Sequence, residues 1–498
     1  MSEAAAGGAT RPQPFTAGYK SMVLGLLLTA YIFNFIDRTI IATIGQAIKV
    51  DLKVSDAQLG LLGGLYFALL YTFLGIPIAR LAERRSRTWI ITASLVVWSG
   101  FTAACGLAQN FLQLALLRFG VGIGEAGLSP PAHSLISDYY EPRKRASALS
   151  IYSLGIPLGT MFGAVMGGWL AQNFSWRWAF AAVGLPGVIL AVIFKLLVKE
   201  PRRGASDMQP DVAVLAEDVA PPPPPVSLKS ELSELGAVAK VLFAKWPVFN
   251  MMMGITVASF ASYGTNGFVP PHFIRNFGLG LAATGLIYGL IQGVSAGAGT
   301  IIGGFFTDHL GKRSARWYAL VPAIGILIAA PLYLLAYNQG TWQSTALLLL
   351  LPGVFHYTYL APTFGVVQNS VDVRRRATAT AILFFFLNLF ALGFGPPICG
   401  WFIDQFAAWN FAHPGLGGAA PPLQALGEHG GTFAAECPGG AAPKGSPAAT
   451  VAACKGALGL ATRQGITLQA CFYFWASAHY FLAAIGLVKH MGDRTLKA

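Results

Sequence analysis

Twelve long apolar stretches run through this chain, at 21–46, 57–80, 88–109, 111–138, 145–172, 177–199, 246–275, 281–307, 316–337, 343–370, 377–407 and 466–489. A helix crossing a hydrocarbon core of about 30 Å needs on the order of 20 apolar residues, and each stretch meets that length. Residues 1–20 are polar and the first apolar run continues to spanning length, so no cleavable leader is expected. Composition closes the other routes. Of 498 residues, 54% are hydrophobic and only 11% are charged, against roughly 25% charged in a soluble protein. Mean hydropathy is +0.57, and 12% aromatic content is too apolar for a solvated, disordered chain. Five Cys exclude a disulfide-dense secreted scaffold. The fold class expected is an all-α membrane protein with 12 transmembrane helices.

A formal charge of +13 suggests a nucleic-acid binder until the charges are placed. With the N-terminus on the cytoplasmic side, 25 of the 34 basic residues fall on that side, in short loops at helix ends. Seven fall outside, among them Lys49, Lys53, Arg177 and Arg275, and Arg38 and Arg118 lie within spans. This bias places both termini in the cytoplasm. The basic residues anchor topology and meet anionic lipid headgroups, so the bilayer is the partner and nucleic acid is not. No His, Cys, Asp and Glu set has metal-ligand spacing, no cofactor is expected, and a monomer is expected. Gly120-x-Gly122-x-Gly124 lies mid-membrane with no preceding strand, so close helix packing explains it better than dinucleotide binding.

The organisation expected is a cytoplasmic tail 1–20, a six-helix half 21–199, a linker 200–245, a second half 246–489 and a tail 490–498. The linker contains Pro221–Pro225 and a short amphipathic helix around Leu228–Phe243. Residues 408–465, rich in Gly, Ala and Pro, read as a loosely ordered loop outside the cell. Cys437 and Cys454 there lie on the oxidising side, and either pair or stay as two free thiols.

The chain also repeats itself. Ala79-Arg80-Leu81-Ala82-Glu83-Arg84-Arg85-Ser86-Arg87 matches Gly304-Phe305-Phe306-Thr307-Asp308-His309-Leu310-Gly311-Lys312-Arg313 at an offset of 225, and Arg143-Lys144-Arg145-Ala146 matches Arg374-Arg375-Arg376-Ala377. Two homologous halves around a midplane site is a transporter pattern. The acidic-basic loops resemble the major facilitator superfamily signature, Gly-x-x-x-Asp-(Arg/Lys)-x-Gly-x-(Arg/Lys)-(Arg/Lys). The second copy fits well, with His309 in place of the basic residue after Asp308, and the first departs further, at Ala79, Glu83 and Ser86. Arg118-x-Gly120-x-Gly122-x-Gly124-Glu125 and Trp176-Arg177-Trp178 fit the same family. Asn34-Phe35-Ile36-Asp37-Arg38, Gly75-Ile76-Pro77, Asp138-Tyr139-Tyr140 and Trp475-Ala476-Ser477-Ala478-His479-Tyr480 resemble its spinster family, in a bacterial version. That resemblance implies a bacterial inner-membrane exporter of lysophospholipids or sphingoid phosphates.

Ionisable residues inside a spanning helix are costly, by about 2.5–3.5 kcal/mol on insertion scales, and usually line a pathway. Asp37, Arg38, Arg118 and Glu125 lie well inside. Asp37 and Arg118 sit at similar depths, which permits a pair between helices 1 and 4, and Glu125 lies two turns from Arg118 on the same face. Asp37 and Glu125 are read as protonation sites with Arg118 as switching partner, against the alternative of a permanent ionic brace. Arg38 meets either an anionic substrate or a residue of another helix. His133 is a weak candidate for titration. Arg38, Arg118 and Glu125 are expected to line the substrate cavity with Tyr263, Asn266, Gln292, His356, Tyr357, Tyr359 and Asn388 of the second half, which shows no buried Arg or Lys in its sequence.

A cytoplasmic gate is expected from Glu83, Arg84, Arg87, Asp138 and Arg143, and from Asp308, Lys312, Arg313 and Arg374. The function expected is proton-coupled export of an amphipathic, lipid-like anion by alternating access. The alternative is an organic-anion (sugar acid):proton symporter. No nucleophile–base set supports an enzyme, and no catalytic residue is assigned.

Overall fold

The protein's structure, a computed structural model, describes residues 15–201, 203, 228–372, 375–415, 418, 422–427 and 431–491. Eleven helices are long and apolar enough to cross a membrane: α1 (Ala17–Leu52), α2 (Asp56–Ala82), α3 (Arg87–Cys105), α4 (Phe111–Tyr139), α5 (Ser147–Asn173), α6 (Trp176–Leu197), α8 (Leu281–Gly311), α9 (Trp317–Tyr337), α10 (Trp342–Asn369), α11 (Thr378–Ala412) and α12 (Ala448–Lys489). The twelfth, α7 (Trp246–Phe277), meets the test together with Ser233–Ala244, which is bent 99° away from it. No strand occurs among the described residues. Lipid offers backbone groups no hydrogen bonds, so an apolar chain of this length satisfies them within helices. The ends are set locally. The Ser86, Asn110 and Ser175 side chains each accept from a backbone N–H in the first turn of α3, α4 and α6, and Ser55 and Gln58 form a reciprocal capping box at the start of α2.

Buried apolar residues form two cores, one drawn from α1–α6 except for Leu392 and one mainly from α7–α12, the segment between α11 and α12 and the connecting helix Leu228–Ala244, joined by Leu59 and Ala164 of the first half. The end of the bundle where α1 begins and α12 finishes is termed the terminal face, and the opposite end the far face. Several spans are interrupted. Helix α2 breaks at Gly64, α4 turns between Glu125 and Ser129, and α11 contains a π-turn at Leu387–Leu392. Such interruptions are common where helices line a site.

At the far face the halves close backbone to backbone. A Cβ on Gly285 of α8 would collide with the Ala164 carbonyl of α5, and one on Gly400 of α11 would collide with the Asp56 carbonyl of α2. Four charges meet at this closure, Lys49, Asp56 and Arg275 buried and Asp404 half-buried. Arg275 of α7 donates from both terminal nitrogens to Asp56, at 2.6 and 3.1 Å, from Nε to Gln46 Oε1 of α1 at 2.7 Å, and to Thr462 Oγ1 of α12 at 2.9 Å. Lys49 Nζ lies 3.2 Å from Asp56 Oδ2. The Asp404 carboxylate of α11 accepts the Asp56 and Ala57 backbone N–H groups at 2.9 and 2.8 Å, capping α2 from the other half.

Two expectations are corrected here. Helix α1 runs six residues past 46, because Lys49 is neutralised by Asp56 rather than hydrated. Within 408–465, residues from Ala448 onward already belong to α12, since an Ala-rich stretch is helical without being strongly apolar. Cys437 and Cys454 are joined by a disulfide with Cα atoms 5.7 Å apart. The Pro221–Pro225 run and both chain ends lie outside the described residues.

Candidate functional site

Small residues bring α4 close enough to place its charges. A Cβ on Gly122 would sit 2.5 Å from the Phe67 carbonyl of α2, and one on Gly124 would collide with the Trp98 backbone of α3. With α4 held against both helices, Glu125 reaches α1. Its Oε2 accepts from Arg38 Nε at 2.7 Å, and the Glu125 side chain is fully buried. The Arg38 guanidinium is packed over Phe35, Phe67 and Tyr71, at 5.2, 4.9 and 4.6 Å from the ring centroids. Weakly hydrated guanidinium suits an aromatic seat of this kind.

Asp37 and Arg118, which their depths would allow to pair, make no ion-pair contact, although the two charges lie near enough to act on each other. Arg118 Nε donates to the Leu62 carbonyl, beside the break in α2, at 3.3 Å, and its guanidinium lies over Phe67. Both residues are 1% exposed. Asp37 Oδ1, Arg118 Nη1, Glu125 Oε1, both side-chain polar atoms of Asn34 and Thr102 Oγ1 make no well-formed hydrogen bond, although Thr102 lies beside Asp37 and Asn34 beside Glu125. Unmet buried groups are costly, at about 1–3 kcal/mol each and more for charges, so a cluster of them marks a place built for something besides packing. Depth along a helix is legible from spacing, but rotation about the helix axis is not, and rotation gave Glu125 to Arg38. His133 is exposed, its ring 5.4 Å from Tyr152.

The second half faces these charges with neutral polar groups. Gln292 Nε2 of α8 donates to Asn266 Oδ1 of α7 at 2.5 Å, and Asn266 Nδ2 donates to Ser262 Oγ at 3.2 Å. The electrostatic neighbours of Tyr263 are Arg38 and Tyr71 of the first half, so α1, α2 and α7 surround one space. His356 lies apart from it. Its ring is enclosed by Tyr357, Tyr359 and Tyr473, at 4.6, 5.2 and 4.9 Å, and its Nδ1 lies 3.3 Å from the Tyr333 hydroxyl. Asn388 sits in the π-turn of α11. The expectation that this half holds no buried cation is corrected by Arg275, which is 7% exposed. Arg275 lies twelve residues beyond Tyr263 on α7, roughly 18 Å along the axis, with all its nitrogens engaged at the far face.

At the terminal face, Arg87 is the hub. It pairs with Asp138 of α4 and, at 2.7 Å, with Glu200 beyond α6, and it donates to Ser134 Oγ and the Pro201 carbonyl. Burial pushes the Glu200 carboxyl up, but hydrogen bonds from the Thr88 N–H, Arg87 and Ser86 outweigh it and hold the group below its usual range. Sequence spacing found Arg87 and Asp138 and missed Glu200, which lies 113 residues from Arg87. Arg84, Asp308, Lys312 and Arg313 are exposed. The side chains of Glu83, Arg143 and Arg374 lie outside those described. A separate groove of about 620 Å³ opens at the far face beside Gln46, Asp51, Gln172 and Leu281, well away from the central charges.

Comparison with known proteins matches this arrangement to a family. Residues 27–396 fit the model of the Major Facilitator Superfamily. An MFS-type efflux pump of Mycolicibacterium smegmatis is 30% identical over 77% of this chain and 84% of its own length. A hexuronate transporter of Bacillus subtilis is 26% identical over 80% of this chain and 92% of its own. Among solved structures, a bacterial homologue of the human lysosomal transporter spinster, in an inward-facing and unoccupied conformation, superposes with a TM-score of 0.78 at 31% identity, covering 96% of this chain and 99% of that one. With twelve apolar spans in two cores and interrupted helices around a buried charge cluster, this chain belongs to the major facilitator superfamily.

Proposed function

We propose that this transporter couples protons to the movement of an amphipathic, lipid-like anion, of lysophospholipid or sphingoid-phosphate type, out of the cell. One observation carries the reading: the Arg38–Glu125 pair, with Glu125 fully buried, has beside it a second buried carboxylate and guanidinium, Asp37 and Arg118, whose Oδ1 and Nη1 atoms make no well-formed hydrogen bond. An anionic headgroup arriving at Arg38 competes with Glu125 for the guanidinium. A carboxylate that loses its cation in a dry site takes up a proton, and the two events are thereby linked. Asp37 serves as the second proton carrier, and Arg118 balances its charge. Tyr263, Asn266 and Gln292 offer hydroxyl and amide groups to the rest of the headgroup, and the Phe-rich walls suit an acyl chain. Tyr357, beside Ser262 and Asn266, extends the same wall.

The membrane is the bacterial inner membrane, with the terminal face inside and the protein acting as a monomer. The lysine and arginine bias supports that orientation. So does the Cys437–Cys454 disulfide near the far face, since disulfides persist in oxidising compartments. Closure at the far face then corresponds to an inward-facing conformation, the state of the spinster homologue it resembles.

The second reading, a sugar acid:proton symporter, is favoured by the hexuronate relative. Against it, Arg275, the buried cation of the second half, is spoken for by Asp56 and lies at the far face, away from Tyr263. Purified protein in proteoliposomes under an imposed pH gradient, given lysolipids and small sugar acids in turn, separates the two. Transport of the sugar acid alone would overturn the lipid reading. Asp37→Asn and Glu125→Gln are each expected to abolish gradient-driven accumulation, and full retention in both would end the relay.

A further inference from the structure

The far-face charges and the disulfide are contiguous. Between α11 and α12 the chain forms a short helix Gly431–Glu436 followed by a turn at Pro438–Gly440. Phe433 anchors the helix on Phe411 at the end of α11, ring centroids 5.6 Å apart. Cys437 ties the turn to Cys454 in the first turns of α12. Both ends of this segment therefore belong to the second half.

Its middle, however, lies on the first half. Gly439 and Gly440 both have positive φ, +68° and +83°, a conformation that a side chain disfavours. A Cβ on Gly439 would sit 2.7 Å from the Lys49 carbonyl and 3.1 Å from Lys53 Cα, at the end of α1, and one on Gly440 would sit 3.0 Å from Lys49 Cε. The turn thus rests on the helix end that presents Lys49 to Asp56, and Asp56 holds Arg275 of the second half.

We infer that residues 433–440 form a disulfide-anchored strap that clamps α1 to the second half, and that the strap and the Lys49–Asp56–Arg275–Asp404 quartet act as one far-face gate. The inference rests on alternating access but not on substrate or protons. Opening this face exposes four charges that now neutralise each other, and it must also lift the glycine turn off α1. With the disulfide intact the turn cannot retreat from Lys49 unless α12 moves with it. With the disulfide broken, the Phe433–Phe411 contact still holds the segment, and the turn is freer to leave Lys49 without α12. The bond therefore sets the balance between far-face-closed and far-face-open states.

The test reads distance without any substrate. Spin labels carried on non-cysteine side chains introduced at Leu107, exposed at the end of α3, and Gly340, exposed between α9 and α10, report separation of the halves at the far face by double electron–electron resonance. The full chain in lipid nanodiscs is expected to show mainly the short distance. Mild reduction of the native protein, and independently the Cys437→Ser/Cys454→Ser variant, are expected to raise the long-distance population by about tenfold, as is Asp56→Asn. Asp404→Asn, which keeps a hydrogen-bond acceptor for α2, serves as a second quartet variant should Asp56→Asn fail to fold. Unchanged distances after reduction would overturn the strap, and unchanged distances in the quartet variants would overturn the gate. A shift in distance together with failed lipid transport would count against the proposed substrate and leave the gate standing.

Discussion

Arg38 and Glu125 form the tightest charge contact at the centre of the molecule, and each depends on the other to remain there. Removing one partner of a buried pair strands the second and costs about 3–5 kcal/mol. Arg38→Ala is therefore expected to lower thermal stability sharply, and Arg38→Ala combined with Glu125→Gln to lower it by less than the sum of the single changes. A double-mutant cycle of melting temperatures checks this. Glu200 offers a pH-dependent case. Its folded carboxyl sits below the ordinary 4.5, so its contribution is fully present above that value and is lost as pH falls through the lower folded one. Glu200→Gln is expected to melt earlier than the parent protein at pH 7, with the gap closing below about pH 4. The sequence offered the charges themselves but not their partners. Arg38 precedes Glu125 by 87 positions and Asp56 precedes Arg275 by 219, and hydropathy says nothing about which buried charges meet across such separations.

Helices, by contrast, were largely legible, because apolar length is a local property. Their ends and breaks were harder to read. The π-turn at Leu387–Leu392 and the kink at Gly64 leave the apolar pattern intact, and the Ala-rich start of α12 lacks the hydropathy that marks a span. The close-packing role read for Gly120-x-Gly122-x-Gly124 is the one its neighbours require, since Gly122 and Gly124 bring α4 against α2 and α3. Gly124→Val forces a side chain into the Trp98 backbone, and overpacking of this kind costs about 1–3 kcal/mol. A lower melting temperature is expected, with a second loss in transport as Glu125 is pushed off Arg38. A melting temperature equal to that of the parent protein would show that α4 has room to shift.

On the scale of the whole molecule, orientation is the property most directly open to measurement. If the terminal face lies inside, a cysteine introduced at the exposed far-face position Gly340 in a Cys471→Ser variant should react in intact cells with a membrane-impermeant maleimide added from outside. Labelling only after lysis would reverse the topology. The glycine seam between the halves has a mechanical consequence. Where Gly285 meets Ala164 and Gly400 meets Asp56, backbone lies against backbone. At those two points the joint works like a plain bearing. There the halves part with no rotamer having to turn, and much of the force needed to start the motion is concentrated in the few charges that bolt its rim.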